Sequence, residues 1–251
     1  MKKELINYTL FLADTCLVLG QRNAAWCAHG PILEQDIAIT NITLDQVGQA
    51  RNFYQYAAEL INSSGNENAT EDSLAYLRSE REFKNLLMAE LPNGDWAQTV
   101  LRQFLFSVYQ YLLFEKLEKG KDRQLAAIAS KSLKEVTYHL KWSSEWVIRL
   151  GDGTAESHQR MKNAIDVLWM YSGEFFIPAS YESVDITGFE TALLKTVWLQ
   201  KVKEVFDEAT LTIPENIFMQ TGGKAGVHTE HMGYILAEMQ NLQRTYPGAE
   251  W

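Results

Sequence analysis

Apolar residues recur at three- and four-residue spacing along almost the whole chain, which is the pattern of amphipathic helices. No stretch alternates apolar and polar residues in a way that indicates a strand, and only 5 of the 251 residues are proline. The sequence therefore predicts an all-α protein. The predicted helices cover approximately residues 5–28, 32–61, 71–90, 96–118, 123–150, 155–174, 188–208 and 227–245.

Several helix starts carry a capping signature. Asp95 is followed three residues later by Gln98, and Thr187 by Glu190, as in capping boxes. Thr154 stands before the sixth predicted helix and is a suitable N-cap.

Two links between predicted helices are short. Gly30-Pro31 joins the first helix to the second, and Gly120-Lys121 joins the fourth to the fifth. Short links produce antiparallel hairpins, and two hairpins joined by a long crossover give a ferritin-like bundle. We expect a ferritin-like four-helix bundle with additional helices, formed by a single domain over residues 1–251 with core hairpins at about 5–62 and 95–150.

A ferritin-like bundle raises the question of a di-metal centre. Such a centre takes one Glu from each of two helices and a Glu-x-x-His motif from each of the other two. The candidates at these positions are Asp14, Asp45, Gly48, Glu135 and Tyr138. Glycine and tyrosine thus stand where two imidazoles are needed, and three carboxylates without histidine bind iron poorly. The sequence predicts no metal and no catalytic residue in this chain.

The carboxylates then need another role, because a buried carboxylate must be paired or hydrogen-bonded. Asp45 has Asn41 and Gln49 at helical spacing. The candidate partners of Glu135 are His139 four residues later, Tyr138 and a basic residue of another helix. We expect these neighbours to satisfy them.

The fifth predicted helix has two candidate buried faces. One stripe is apolar, and the second carries Glu135, His139, Trp142 and Trp146 among its members. Two interpretations stay open. The helix lies at the centre of its own bundle, or Trp142 and Trp146 form a face for another chain, because exposed Trp pairs are rare on monomers.

Three further segments carry candidate chemistry. His228 and His231 could hold zinc, but no third ligand is identifiable and a solvated helix start is favoured. Gly222-Gly223-Lys224 before a helix resembles an anion cradle, with a plain turn as the default and contact with an anionic cofactor tail as the alternative. Phe176-Ile177-Pro178 either packs under the bundle or forms an interface patch.

Charge and cysteine content narrow the function classes. Lys and Arg number 23 against 32 Asp and Glu, and the resulting net charge of -9 disfavours nucleic acid as a partner. Cys16 and Cys27 fall on one predicted helix, too far apart for a disulfide. Two unpaired thiols, no signal peptide and no apolar stretch of about 20 residues predict a soluble cytoplasmic protein.

Long motifs resemble a known family over nearly the whole chain. They include LADTCLVLGQR at residues 12–22, WCAHGPILE at 26–34, DQVGQAR at 45–51, RQFLFS at 102–107, KEVTYHL at 134–140, SEWVIRLGDGT at 144–154 and GVHTEHMGY at 226–234. In these motifs the chain resembles the C subunits of the bacterial phenylacetyl-CoA ring-epoxidase family.

The resemblance implies a ferritin-like, non-catalytic subunit of a multicomponent monooxygenase. In that family a homologous catalytic subunit, named A, holds the di-iron centre and binds phenylacetyl-CoA, and the C subunits support it. A small subunit, named B, and a reductase with FAD, an iron–sulfur cluster and NADPH complete the system of aerobic phenylacetate breakdown. Two alternatives stay open: a carboxylate-bridged di-iron oxidase in its own right, and a self-associating helical scaffold without an oxygenase partner.

Overall fold

The computed structural model describes residues 2–65 and 68–249. Within these residues the chain forms α-helices and 3-10 turns and no strand, which confirms the predicted all-α class. The α-helices are α1 (Lys2–Ala24), α2 (Leu33–Asn62), α3 (Glu71–Tyr76), α4 (Trp96–Leu117), α5 (Arg123–Gly151), α6 (Ala155–Leu168), α7 (Val184–Thr187), α8 (Leu194–Glu208), α9 (His231–Met239) and α10 (Asn241–Thr245). The 3-10 turns are Glu80–Glu82, Leu87–Glu90, Trp169–Phe176, Thr191–Leu193 and Gly223–Ala225.

The two hairpins α1–α2 and α4–α5 make the most extensive helix contacts, and α2 packs on α5 to join them into a ferritin-like four-helix core. Helices α6 and α8 cover α4 and α5. The side chains of Asp95 and Thr154 accept hydrogen bonds from the backbone N–H groups of Gln98 and Ser157, so both predicted N-caps are confirmed. No helix within the described residues combines the length with the apolar character that a membrane-spanning helix needs.

Helix α1 lies at the centre of the protein. Every residue from Tyr8 to Gly20 is buried, because α2, the Leu87–Glu90 turn, α7 and α9 all contact this helix. Its sequence, apolar on all sides apart from a few polar residues, is what full burial requires.

The helix predicted over residues 71–90 is wrong beyond Tyr76. Distant side chains capture the backbone N–H groups that a helix would have used internally: Lys84 N donates to Asp14 Oδ2 at 2.8 Å, and Leu87 N donates to Glu174 Oε2 at 2.8 Å. Because these side chains supply the hydrogen bonds of the backbone, the segment adopts an extended conformation and crosses α1 between two short turns.

Other predicted boundaries also need correction. Helix α1 ends at Ala24, so Cys27 lies exposed in the following turn and Cys16 is buried in the helix. Thr187 ends α7 and caps no helix, because Gly188 follows it with a left-handed φ of 81° and α8 begins only at Leu194. The sixth predicted helix changes to a 3-10 turn at Trp169.

The last helix begins later than predicted because His228 turns into the protein. Its Nδ1 lies 2.6 Å from Glu90 Oε1 and its Nε2 lies 3.1 Å from the carbonyl oxygen of Phe83, so both ring nitrogens face acceptors and the imidazole is protonated. Burial opposes the charged ring, but the hydrogen bond and the charge of Glu90 raise the pKa of His228 above its ordinary value. The predicted solvated helix start is therefore wrong at His228, whose side chain is fully buried.

Asp14 forms a second buried ion pair that fixes the crossover. Its carboxylate accepts hydrogen bonds from Arg78 and from the Tyr54 hydroxyl, and the Arg78 guanidinium lies 4.2 Å from the centre of the Phe83 ring. Burial and the negative charge of Asp14 raise the pKa of Tyr54 well above its ordinary value, so the phenol stays a donor. Asp14 thus ties α1 and α2 to the segment after α3.

We expect Arg78→Met to lower the free energy of unfolding by about 3–5 kcal/mol, because it leaves Asp14 buried without a counter-charge. Urea denaturation measures the loss. The matched control is Arg51→Met, which breaks the solvent-exposed Arg51–Glu71 pair and is expected to cost less than about 1 kcal/mol. Equal losses in the two variants would contradict the anchoring role of Asp14.

The His228–Glu90 pair predicts a pH-dependent stability. The pKa of His228 is raised in the folded state. The pair therefore makes its full contribution to the free energy of unfolding below the ordinary histidine pKa of about 6.5, and this contribution is lost as the pH rises through the folded-state pKa. We expect the stability advantage of the native chain over His228→Gln to be largest in mildly acidic solution and to shrink as the pH rises above about 6.5. The same substitution at the exposed His29 supplies the baseline, and an advantage independent of pH would refute the charged pair.

Candidate functional site

The interior between the four core helices is polar where one side chain from each helix meets the others. Gln49 Nε2 donates to Glu135 Oε2 at 2.8 Å, which ties α2 to α5. Cys16 Sγ lies 3.7 Å from Gln49 Oε1 and 3.7 Å from Gln110 Nε2, which brings α1 and α4 into the same cluster. We call Cys16, Gln49, Gln110 and Glu135 the inner cluster.

A second polar layer lies next to the inner cluster along the bundle. Asn23 Nδ2 donates to Gln46 Oε1 at 3.0 Å and to Gln103 Oε1 at 2.8 Å. Gln103 Nε2 then donates to Ser107 Oγ at 3.0 Å. All of these side chains are fully buried and uncharged, so hydrogen bonds between amides hold α1, α2 and α4 together here.

The donor set of this interior does not fit a di-iron centre. A working centre needs four carboxylates and two imidazoles, whereas the inner cluster offers one carboxylate, two amides and a thiol. Burial, reinforced by the charge of Glu135, raises the pKa of Cys16 to about 12, so the thiol is protonated at neutral pH and is a poor ligand. Over residues 2–65 and 68–249, no group of three His, Cys, Asp or Glu side chains is arranged to hold a metal ion.

The five positions predicted as degenerate ligands do not converge. Asp14 is paired with Arg78, and Asp45 lies on the α2–α5 seam, where its Oδ2 is 2.9 Å from His139 Nε2. Tyr138 is 48% exposed, and a Cβ added at Gly48 would meet no atom within 4 Å, so both positions face outward. Glu135 is the member of this set that reaches the inner cluster.

The predicted inward face of α2 is therefore wrong. The helix is rotated about its own axis, so that a different set of residues points into the bundle. Its interior positions are Gln46 and Gln49, three residues apart, and on α5 they are Ser132 and Glu135. The apolar residues Ile39, Ile42 and Phe53 continue the same buried face at spacings of three and four, and this pattern could have set the frame. The predicted neighbours are exchanged as well, because Asp45 bonds His139 and Glu135 bonds Gln49.

Trp142 and Trp146 pack within their own chain. Both rings meet Trp96 edge-on, at centroid distances of 6.0 and 6.4 Å, and Trp96 in turn meets Trp26 at 5.0 Å. Trp142 is buried and donates its Nε1–H to Gln35 at 3.0 Å, whereas Trp146 is half-buried. Trp142 thus offers little surface to another chain, and a partner contact at Trp146 stays a prediction.

The predicted anion cradle is occupied by a carboxylate of the same chain. Glu174 Oε1 accepts the backbone N–H of Gly222 at 2.8 Å and that of Lys224 at 3.4 Å. Burial raises the pKa of Glu174, and these backbone donors and that of Leu87 act in the opposite direction. Lys224 is itself buried and pairs with Glu182 at 2.8 Å, so the ammonium and the cradle are both engaged internally.

The structure brings two of the predicted contact segments together. A surface cavity of about 550 Å³ lies between residues 177–181 and residues 221–225, with Asn7 and Lys84 on its wall. Ile177 and Pro178 are exposed there, whereas Phe176 points into the core against Tyr109 and Trp198. No local pattern indicated Glu174 or this cavity, since both depend on contacts between distant segments.

Comparison with known proteins identifies the family. The family model described as "Phenylacetic acid catabolic protein" matches residues 1–251. The C subunit of the 1,2-phenylacetyl-CoA epoxidase of Escherichia coli (strain K12) is 46% identical over 254 residues, which cover 99% of this chain and 99% of the relative. The chain therefore belongs to the phenylacetic acid catabolic protein family.

Proposed function

We propose that this chain is the non-catalytic structural subunit of a phenylacetyl-CoA ring-1,2-epoxidase and supports the homologous catalytic subunit in aerobic phenylacetate catabolism. The observation that carries the proposal is the inner cluster, whose amides and thiol stand between the helices where a di-iron protein needs carboxylates and imidazoles. The name of the Escherichia coli relative supports the enzyme system.

The proposed work of the chain is mechanical. Hydrogen bonds between neutral side chains tie α1, α2 and α4 together, and Gln49 ties α2 to α5 through Glu135, so the bundle keeps its shape in the absence of iron. A bundle of fixed shape that buries one face of the catalytic subunit restricts the motion of the helices on that face. Iron then belongs to the catalytic subunit, and FAD, the iron–sulfur cluster and NADPH belong to the reductase, with the small subunit of the system as a further partner and the cytoplasm as the compartment.

We expect the purified chain to form a stable complex with the catalytic subunit of its own enzyme system at micromolar concentration, as measured by size-exclusion chromatography with light scattering. Failure to associate would count directly against the proposal. Metal analysis after anaerobic Fe(II) loading of the chain alone distinguishes this proposal from the enzymatic alternative, because about two irons per chain would identify a di-iron oxidase.

A second expectation concerns the carboxylate of the inner cluster. Glu135→Gln in the reconstituted complex should change kcat and KM by less than about twofold, because Glu135 acts on no substrate, whereas removal of a general acid or base costs about 10²–10⁴ in rate. The exposed Glu145→Gln on the same helix is the matched control. A large fall in kcat for Glu135→Gln alone would assign catalysis to this chain.

A further inference from the structure

Helix α2 carries large apolar side chains on its outward face. Leu33, Ile37, Leu44 and Val47 follow one another at spacings of four, seven and three residues, which places them on one stripe. Leu33 is 72% exposed and Leu44 is 64% exposed. Opposite Leu44 and Val47, the inward face of the same helix holds the amides Gln46 and Gln49, so at this level apolar side chains face outward and polar ones face inward.

Gly48 lies beside this stripe, in the middle of the helix. A glycine there is unfavourable relative to alanine, so it calls for a reason in packing or function. The chain itself gives none, because a Cβ at Gly48 would have nothing within 4 Å. A small residue on an open face is useful when the backbone of another helix approaches it closely.

A cavity continues the stripe at its C-terminal end. It has a volume of about 170 Å³ and lies between α2 and α3, with Leu17, Val47, Ala50 and Tyr76 among its lining residues. Val47 belongs to both the stripe and the cavity. A single large apolar side chain from outside would fill a hollow of this size and anchor an interface there.

We propose that the outward face of α2 from Leu33 to Gly48, with the adjoining cavity, is the surface on which a helix of a second, different subunit docks. The inference rests on the proposed function, since it takes that second protein to be the homologous catalytic subunit. Four large aliphatic side chains that are each at least 42% exposed lie on this face, and exposed apolar patches of this kind mark protein–protein interaction sites. The occupant supplies apolar residues at helical spacing, one of which enters the cavity.

Charge favours a different subunit over a second copy of this chain. Glu34 lies beside Leu33 on α2 and Asp72 lines the cavity, whereas Glu71 and Arg51 in the cavity wall are paired with each other and add no net charge. Two copies would bring acidic rims together on chains that each carry a net charge of -9. The docking helix is therefore flanked by Lys or Arg, and its binding weakens as salt concentration rises.

Two variants test the surface in opposite directions. Leu44→Gln should weaken binding of the catalytic subunit at least about tenfold, as expected for an apolar contact near the centre of an interface. Gly48→Leu should raise the melting temperature of the isolated chain by about 2–4 °C, because it removes a mid-helix glycine, and yet weaken binding at least about tenfold. Leu193→Gln, equally exposed at 67% before α8, is the matched control and should leave affinity unchanged.

The outcomes separate the two proposals. If the native chain binds the catalytic subunit and both α2 variants bind with native affinity, the docking surface is wrong and the proposed function stands. If the native chain does not bind at all, the proposed function and the docking surface fail together. If sedimentation shows a native homodimer that Gly48→Leu converts to a monomer, a second copy occupies the face and the inference is overturned.

Discussion

The structure depends on buried carboxylates that bind the backbone of distant segments. Asp14 accepts the N–H of Lys84, Glu174 accepts those of Leu87 and Gly222, and Glu90 accepts that of Thr229. Each carboxylate is costly to bury and is therefore surrounded by donors, and each donor group belongs to a part of the chain without regular helix. Asp14 thus holds the non-helical crossover against α1, and Glu90 and Glu174 hold the C-terminal loops against the crossover.

Between the four core helices, mostly uncharged polar side chains make the buried hydrogen bonds. There, amides, a thiol and a hydroxyl bond one another, and the Glu135 carboxylate joins them through Gln49. Such networks fix helix register, because sliding one helix by a turn would strand several buried polar atoms. Hydrogen bonds therefore add to the apolar packing of the core in setting the register of these helices.

Periodicity and capping residues were sufficient to place α1, α2, α4 and α5 within a few residues, because both signals are local. They failed over residues 77–90, where apolar Phe83, Leu86 and Met88 fit a helix but the acceptors of the Lys84 and Leu87 backbone N–H groups lie 70 and 87 residues away in the chain. They also gave the wrong inward face for α2. The acidic Asp45 suggested a ligand position there, whereas the apolar Ile39, Ile42 and Phe53 mark the face that points into the bundle. The cradle at Gly222 was recognisable from its glycines, but Glu174 as its anion was not.

The enclosure of α1 has a consequence for biosynthesis. The helix ends at Ala24, yet the residues that cover it extend to α9, which begins at His231. Translation proceeds at about 5–20 residues per second, so some 10–40 seconds separate the synthesis of the apolar helix α1 from the synthesis of α9, the last helix that packs on it. Nascent α1 must be shielded during that interval, by its hairpin partner or by a chaperone, and the protein reaches its native state only after α9 has been synthesised.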